Sequence, residues 1–162
     1  MRHVAAEAGV SVGMVQHYFS TKDEMLLFAL QWVGEEFGAR ITARIGELPE
    51  PRDPKKVVRV VLTARLPLDP RSRVYVQVLV AWLGRTIANP ELARYMLEGT
   101  RALRDHLAGQ LRLAQVSNPV LTADGLLAFA DGLSSHLLQD LHTPEEAPAV
   151  LDAYLDRLFE RA

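Results

Sequence analysis

At Asp53-Pro54, Asp69-Pro70, Asn89-Pro90 and Thr143-Pro144 a residue with a short side-chain acceptor stands directly before proline. An acceptor at the N-cap satisfies an orphan backbone N–H. Proline at the first helical position gives up an N–H that had no partner there. Each pair therefore predicts a helix start. Thr21 with Glu24 and Thr143 with Glu146 have the capping-box spacing, and Thr122, followed by Asp124, is expected to open a further helix. The β-branched run "VVRVVL" (Val57 to Leu62) lies inside a segment opened by Asp53-Pro54 and is expected to be helical.

Apolar spacing agrees. Leu26, Leu30, Val33, Phe37, Ile41, Ile45 and Leu48 recur every three or four residues and predict one long helix. Leu92, Met96, Leu103, Leu107 and Leu111 mark another, and Val150, Leu151, Tyr154, Leu155, Leu158 and Phe159 the last. The intervening pieces are short and carry proline, as helix connections do. The fold class expected is all-α. At 162 residues and 49% hydrophobic, the chain is long enough to bury a core. It has no cysteine, which excludes disulfides and thiolate metal sites. No apolar run approaches the ~18 residues of a membrane span and no signal peptide is evident, so the compartment expected is the cytoplasm. The net charge of −2 leaves room only for local contacts with nucleic acid.

Val4 to Ala8 and Val12 to Phe19 read as two short helices around the turn Gly9-Val10-Ser11, with Gly9 in the left-handed position and Ser11 as cap. This is a helix-turn-helix pattern. Val4, Ala5, Ala8, Val10, Val15 and Phe19 are the expected inward set. Val12, Gly13, Gln16 and His17, with Tyr18 at the end, are the expected outward set. Gln16 suits adenine, His17 and Tyr18 suit bases or phosphates, and Gly13 permits close approach. Lys22 suits a phosphate.

These residues carry a family resemblance. "VAAEAGVSVGMVQHYFSTKDEML" resembles the DNA-binding signature of TetR-type transcriptional repressors: Val4-Ala5, Ala8 to Ser11, Tyr18-Phe19 and Lys22 to Leu26 match it. Gln16 departs, standing where the family usually has a phosphate-contacting tyrosine. "LLAFADGLSSHLLQDLHTPEEAPAVLDAYLDRLF" is similar to the regulatory domain of the branch that includes the betaine-operon repressor. The resemblance implies a helix-turn-helix over 1–21, a connecting long helix over 22–48, and a ligand-binding and dimerisation domain over 49–162. It implies a homodimer that binds a palindromic double-stranded operator through Ser11, Val12, Gly13, Gln16, His17, Tyr18 and Lys22, and that a small-molecule effector releases. Family members carry about one further helix before the motif, and this sequence is expected to lack it. Residues 1–30 hold Arg2 and Lys22 against Glu7, Asp23 and Glu24, a poor balance for a phosphate-binding surface.

Phe28, Trp32, Tyr75, Trp82 and Tyr95 are the large side chains expected to face the interior and line an effector pocket, apolar and aromatic enough for a hydrophobic or quaternary-ammonium ligand. Between Thr122 and Leu141, Leu126, Phe129, Ala130, Leu133, Leu137 and Leu141 form a large apolar face. Gly125, Ala128, Gly132 and Ser135 form a second face of small residues. With Val150, Tyr154 and Leu158 of the last helix, the small face is expected to make a two-fold four-helix interface. No metal-ligand spacing, catalytic triad or glycine-rich phosphate motif appears, so neither metal, cofactor nor enzymatic activity is expected. Two alternatives remain open: a dimeric ligand sensor that does not bind DNA, and a small all-α enzyme or carrier using the same cavity.

Overall fold

A computed structural model describes residues 1–86 and 89–160. Among the described residues there are eight α-helices and no strand: α1 (Arg2–Glu7), α2 (Val12–Tyr18), α3 (Lys22–Gly46), α4 (Pro54–Ala64), α5 (Pro70–Thr86), α6 (Pro90–Leu113), α7 (Pro119–Leu138) and α8 (Glu146–Phe159). They form two compact units, Met1–Glu36 and Phe37–Ala162, with the boundary inside α3.

The helix starts follow the sequence closely. Asp53 accepts from the Lys55 N–H at 2.9 Å, and Asn89 accepts from Glu91 and Leu92 at 3.1 and 3.2 Å. Asp69 accepts from the Ser72 N–H at 2.8 Å while the Ser72 hydroxyl oxygen accepts from the Asp69 N–H at 3.0 Å. This reciprocal cap explains why a serine is buried there. Thr143 and Glu146 form the predicted box, each side chain accepting from the other's N–H. Thr21 caps Glu24, but the Glu24 carboxylate reaches back one residue further, to the Ser20 N–H. "VVRVVL" is helical within α4.

One start differs. α7 opens at Pro119, not at Thr122, and Asn118 precedes it in the left-handed region at φ 49°. Asn118-Pro119 is a fifth acceptor–proline pair, hidden by taking "VSNPVL" for a connection. The Thr122 hydroxyl is spent inside the first turn, donating to the Ser117 carbonyl.

Three helix ends share one geometry. After α1 the Val10 N–H bonds the Ala5 carbonyl and the Gly9 N–H bonds Ala6; after α6 Val116 bonds Leu111 and Gln115 bonds Arg112; after α7 Leu141 bonds His136 and Asp140 bonds Leu137. These are Schellman closures, and each needs a left-handed residue. Gly9 supplies it at φ 65°, but Gln115 and Asp140 adopt φ 58° with a side chain in place.

The core of the second unit comes from α3, α4, α6, α7 and α8. Val58, Val61 and Leu62 of α4 meet Leu107 and Leu111 of α6, Leu126, Ala130 and Leu137 of α7, and Leu151 and Leu155 of α8, all essentially fully buried. Phe37 and Ile41 bring the lower half of α3 into it. Arg65 ends α4: its carbonyl accepts from the buried Ser134 hydroxyl at 2.8 Å, and its guanidinium bonds Asp131, both on α7. That contact fixes the register of α4 against α7 and satisfies a carbonyl at a helix end.

Candidate nucleic-acid interface

The first unit is built around a small apolar cluster. Ala5 of α1, Val15 of α2 and Met25 of α3 are buried, with Met1, Val12 and Phe19 packed against them. Ser11 caps α2, accepting from the Met14 N–H at 3.1 Å. Gly9 closes α1 in three residues, so α2 starts at once in a new direction. Both helices are too short to offer more than one or two inward positions each. Val4, Ala8 and Val10, expected inward, are consequently exposed.

Around α2, successive residues turn by 100°. Val12, Val15 and Phe19 occupy the inward arc. Gln16, Gly13, His17, Met14 and Tyr18 occupy the outward one and are all exposed. Val12, placed in the outward set by sequence, is instead part-buried against the Ala5 cluster. The outward face thus carries no carboxylate and no lysine or arginine. His17 and Tyr18 pack edge to face with ring centroids 5.3 Å apart. A Cβ on Gly13 would meet only the Ser11 hydroxyl, at 3.8 Å, so the outer surface of α2 is open at that point. Lys22 is exposed at the first turn of α3. Met14 is the residue that sequence reasoning passed over; its position four before Tyr18 is the signal that could have placed it outward.

The large aromatics divide. Phe28 and Trp32 are each 57% exposed and do not face the interior. Leu30, which is buried, sits between them in sequence, and two residues either way is a rotation of 200°, to the far side of α3. Phe28 instead lies 5.4 Å from Phe19, centroid to centroid. Trp82 is buried, and Tyr75 and Tyr95 are half-buried, in the second unit. Tyr75 stacks on Phe37 with centroids 4.7 Å apart and planes 6° from parallel. Burial pushes its phenol up to about 12, against the opposing pull of the Arg65 and Arg40 guanidinium groups.

On α7 the two apolar faces separate as sequence spacing implies. Leu126, Ala130, Leu133 and Leu137 are buried, while Gly125, Ala128, Gly132 and Ser135 are all exposed. Leu121, 71% exposed, continues the small-residue stripe by one turn. Phe129 stacks on Tyr154 of α8, centroids 4.6 Å apart. Val150 and Tyr154 are exposed beside it, whereas Leu158 turns inward against the core. Leu141 lies beyond the end of α7 and is exposed.

Among the described residues no group of three or more His, Asp or Glu side chains is set to hold a metal ion, and no helix is long and apolar enough to cross a membrane.

Comparison with known proteins decides the family. Residues 54–160 match the family model for the C-terminal domain of BetI-type transcriptional repressors, and residues 1–28 match that of bacterial regulatory proteins of the tetR family. The chain belongs to the TetR family. Its members are transcriptional regulators, not enzymes. The regulator PksA of Bacillus subtilis is 32% identical over 145 residues, covering 86% of this chain and 68% of that protein. BetI of Proteus mirabilis is 26% identical over 156 residues, covering 94% and 78%. A crystal structure of a transcriptional regulator from a Rhodococcus species superposes with a TM-score of 0.90 at 32% identity, over 99% of this chain and 85% of that one. A second Rhodococcus regulator of the TetR family superposes at 0.85 with 21% identity, a likeness of fold.

Proposed function

We propose that this TetR-family regulator is a cytoplasmic homodimeric repressor that binds a palindromic operator through α2 and is released by a small-molecule effector. The division of labour proposed is 1–21 for DNA, 22–48 as the connecting helix and 49–162 for effector and dimer. The observation that carries this is the outward face of α2: Gly13, Gln16 and His17 exposed on a helix capped by Ser11, with Lys22 one turn beyond. Gln16 offers a bidentate donor–acceptor pair to adenine in the major groove, and Lys22 offers a point charge to a phosphate.

The dimer is proposed to form through the stripe Gly125, Ala128, Gly132 and Ser135 with Val150 and Tyr154. A Cβ built on Gly125 or Gly132 would meet nothing within 4 Å, so the packing within one chain makes no demand for glycine at either place. A second copy of α7 coming close does make that demand. The effector is proposed to bind in the second unit among Tyr75, Trp82 and Tyr95, and to act through α3, which belongs to both units. It releases DNA only by favouring, through its own binding energy, the arrangement that misplaces α2.

The test is a pair of substitutions in the full chain. Gln16→Ala is expected to cost ~1–3 kcal/mol at one operator position and to relax base preference there. Lys22→Ala is expected to weaken all duplexes alike and to lower the salt dependence. Binding titrations at several salt concentrations read both. Unchanged affinity in both variants removes α2 as the reading element.

A further inference from the structure

The outward face of α2 holds one side chain that polar recognition leaves unused. Met14 is 52% exposed and Tyr18, four residues on and therefore directly along the helix from it, is 71% exposed. The two make an apolar strip beside the polar strip of Gly13, Gln16 and His17. Met14 has no packing partner in the Ala5–Val15–Met25 cluster to account for it. Its backbone N–H is held by the Ser11 hydroxyl, which fixes the residue in the first turn of α2. In a helix-turn-helix the first turn of the second helix is the part that reaches base edges.

The major groove narrows the choice of contact. Its floor presents hydrogen-bonding groups on every base pair and a single kind of apolar group, the C5-methyl of thymine. A flexible thioether side chain is only a weak acceptor, and the apolar surface the groove floor offers it is that methyl. We propose that Met14 reads a thymine methyl in the operator, beside the base read by Gln16. The inference rests on α2 being the reading helix and names the base that helix selects there.

The experiment starts by selecting duplexes from a random pool with the full chain, then replacing each thymine of the selected site by deoxyuridine in turn. Deoxyuridine keeps the pairing and the O4 acceptor and lacks only the methyl. At one position the unmodified protein is expected to bind the uracil duplex about fourfold more weakly, the value of one buried methyl-sized group. Met14→Ala is expected to lose the same factor on thymine and to show no difference between the two duplexes. Met14→Leu, which keeps an apolar tip, is expected to retain discrimination. Equal binding of thymine and uracil duplexes at every position by the unmodified protein overturns the inference alone, as does discrimination that survives in Met14→Ala. Failure to enrich any duplex overturns it together with the assignment of α2.

Discussion

At the residue scale, what the chain says clearly is where helices begin, and what it hides is where some of them end. Asp53, Asn89 and Thr143 announce their helices because the cap is made by their own side chains. Gly9 is equally legible, since a left-handed residue after a helix favours glycine. Gln115 and Asp140 do the same job with no such signature: nothing about glutamine or aspartate demands φ 58°. The Schellman hydrogen bonds and the neighbouring core hold them there. Both positions therefore carry a local strain that glycine would relieve, offset in part by the greater freedom glycine has when unfolded. Gln115→Gly and Asp140→Gly are each expected to be neutral to stabilising, by up to ~1 kcal/mol, in denaturant titration. Gly9→Ala is expected to destabilise, because φ 65° resists a Cβ even where space is open.

Residue type alone also misplaced the aromatics. Phe28 and Trp32 look like interior side chains by composition, yet their phase on α3 puts them opposite Leu30. The apolar seam Leu30, Phe37 and Ile41 was readable from spacing, and it already excluded those two positions. Val12 erred the other way, since one face of a seven-residue helix has few inward places and Val12 takes one.

At the scale of elements, α4 shows which force holds a helix in place. Its polar side faces α8 through Lys55 with Asp156 at 2.7 Å and Arg59 with Asp152, a two-rung ladder of antiparallel helices. Hydrogen bonding to Arg59 holds the Asp152 carboxyl below the usual range. These side chains remain largely in contact with water, so each rung is worth little, on the order of 0–1 kcal/mol. Its apolar side buries Val57, Val58, Val61 and Leu62 completely. Leu62→Ala is accordingly expected to cost ~2–5 kcal/mol and Arg59→Ala less than ~1 kcal/mol, compared by chemical denaturation. A larger loss for Arg59→Ala would mean that the ladder, not the core, anchors α4. The strand-like composition of "VVRVVL" is overridden for the same reason: as a helix it buries four side chains, three of them in one core.

At the scale of the whole molecule, the sequence was legible on family and fold class and on the face of α7 left open by its own chain. The stripe of Gly125, Ala128, Gly132 and Ser135 could be read from spacing because two apolar faces on one helix need two partners. Its extension by Leu121 was not, since the true start of α7 at Pro119 was hidden in an apparent connection. The proposed two-headed operator complex stands on that stripe joining two copies, and a dimer of this kind is expected to bury more than about 1,500 Å² in total. Sedimentation of the unmodified chain and of Gly132→Leu at micromolar concentration tests it most directly. Within one subunit the leucine meets open space and replaces the weaker helix former, so the folded subunit tolerates it. Between two closely packed helices it has no room. The account predicts a dimer for the unmodified chain and helical monomers for Gly132→Leu. A variant that remains dimeric, or an unmodified chain that sediments as a monomer, contradicts it.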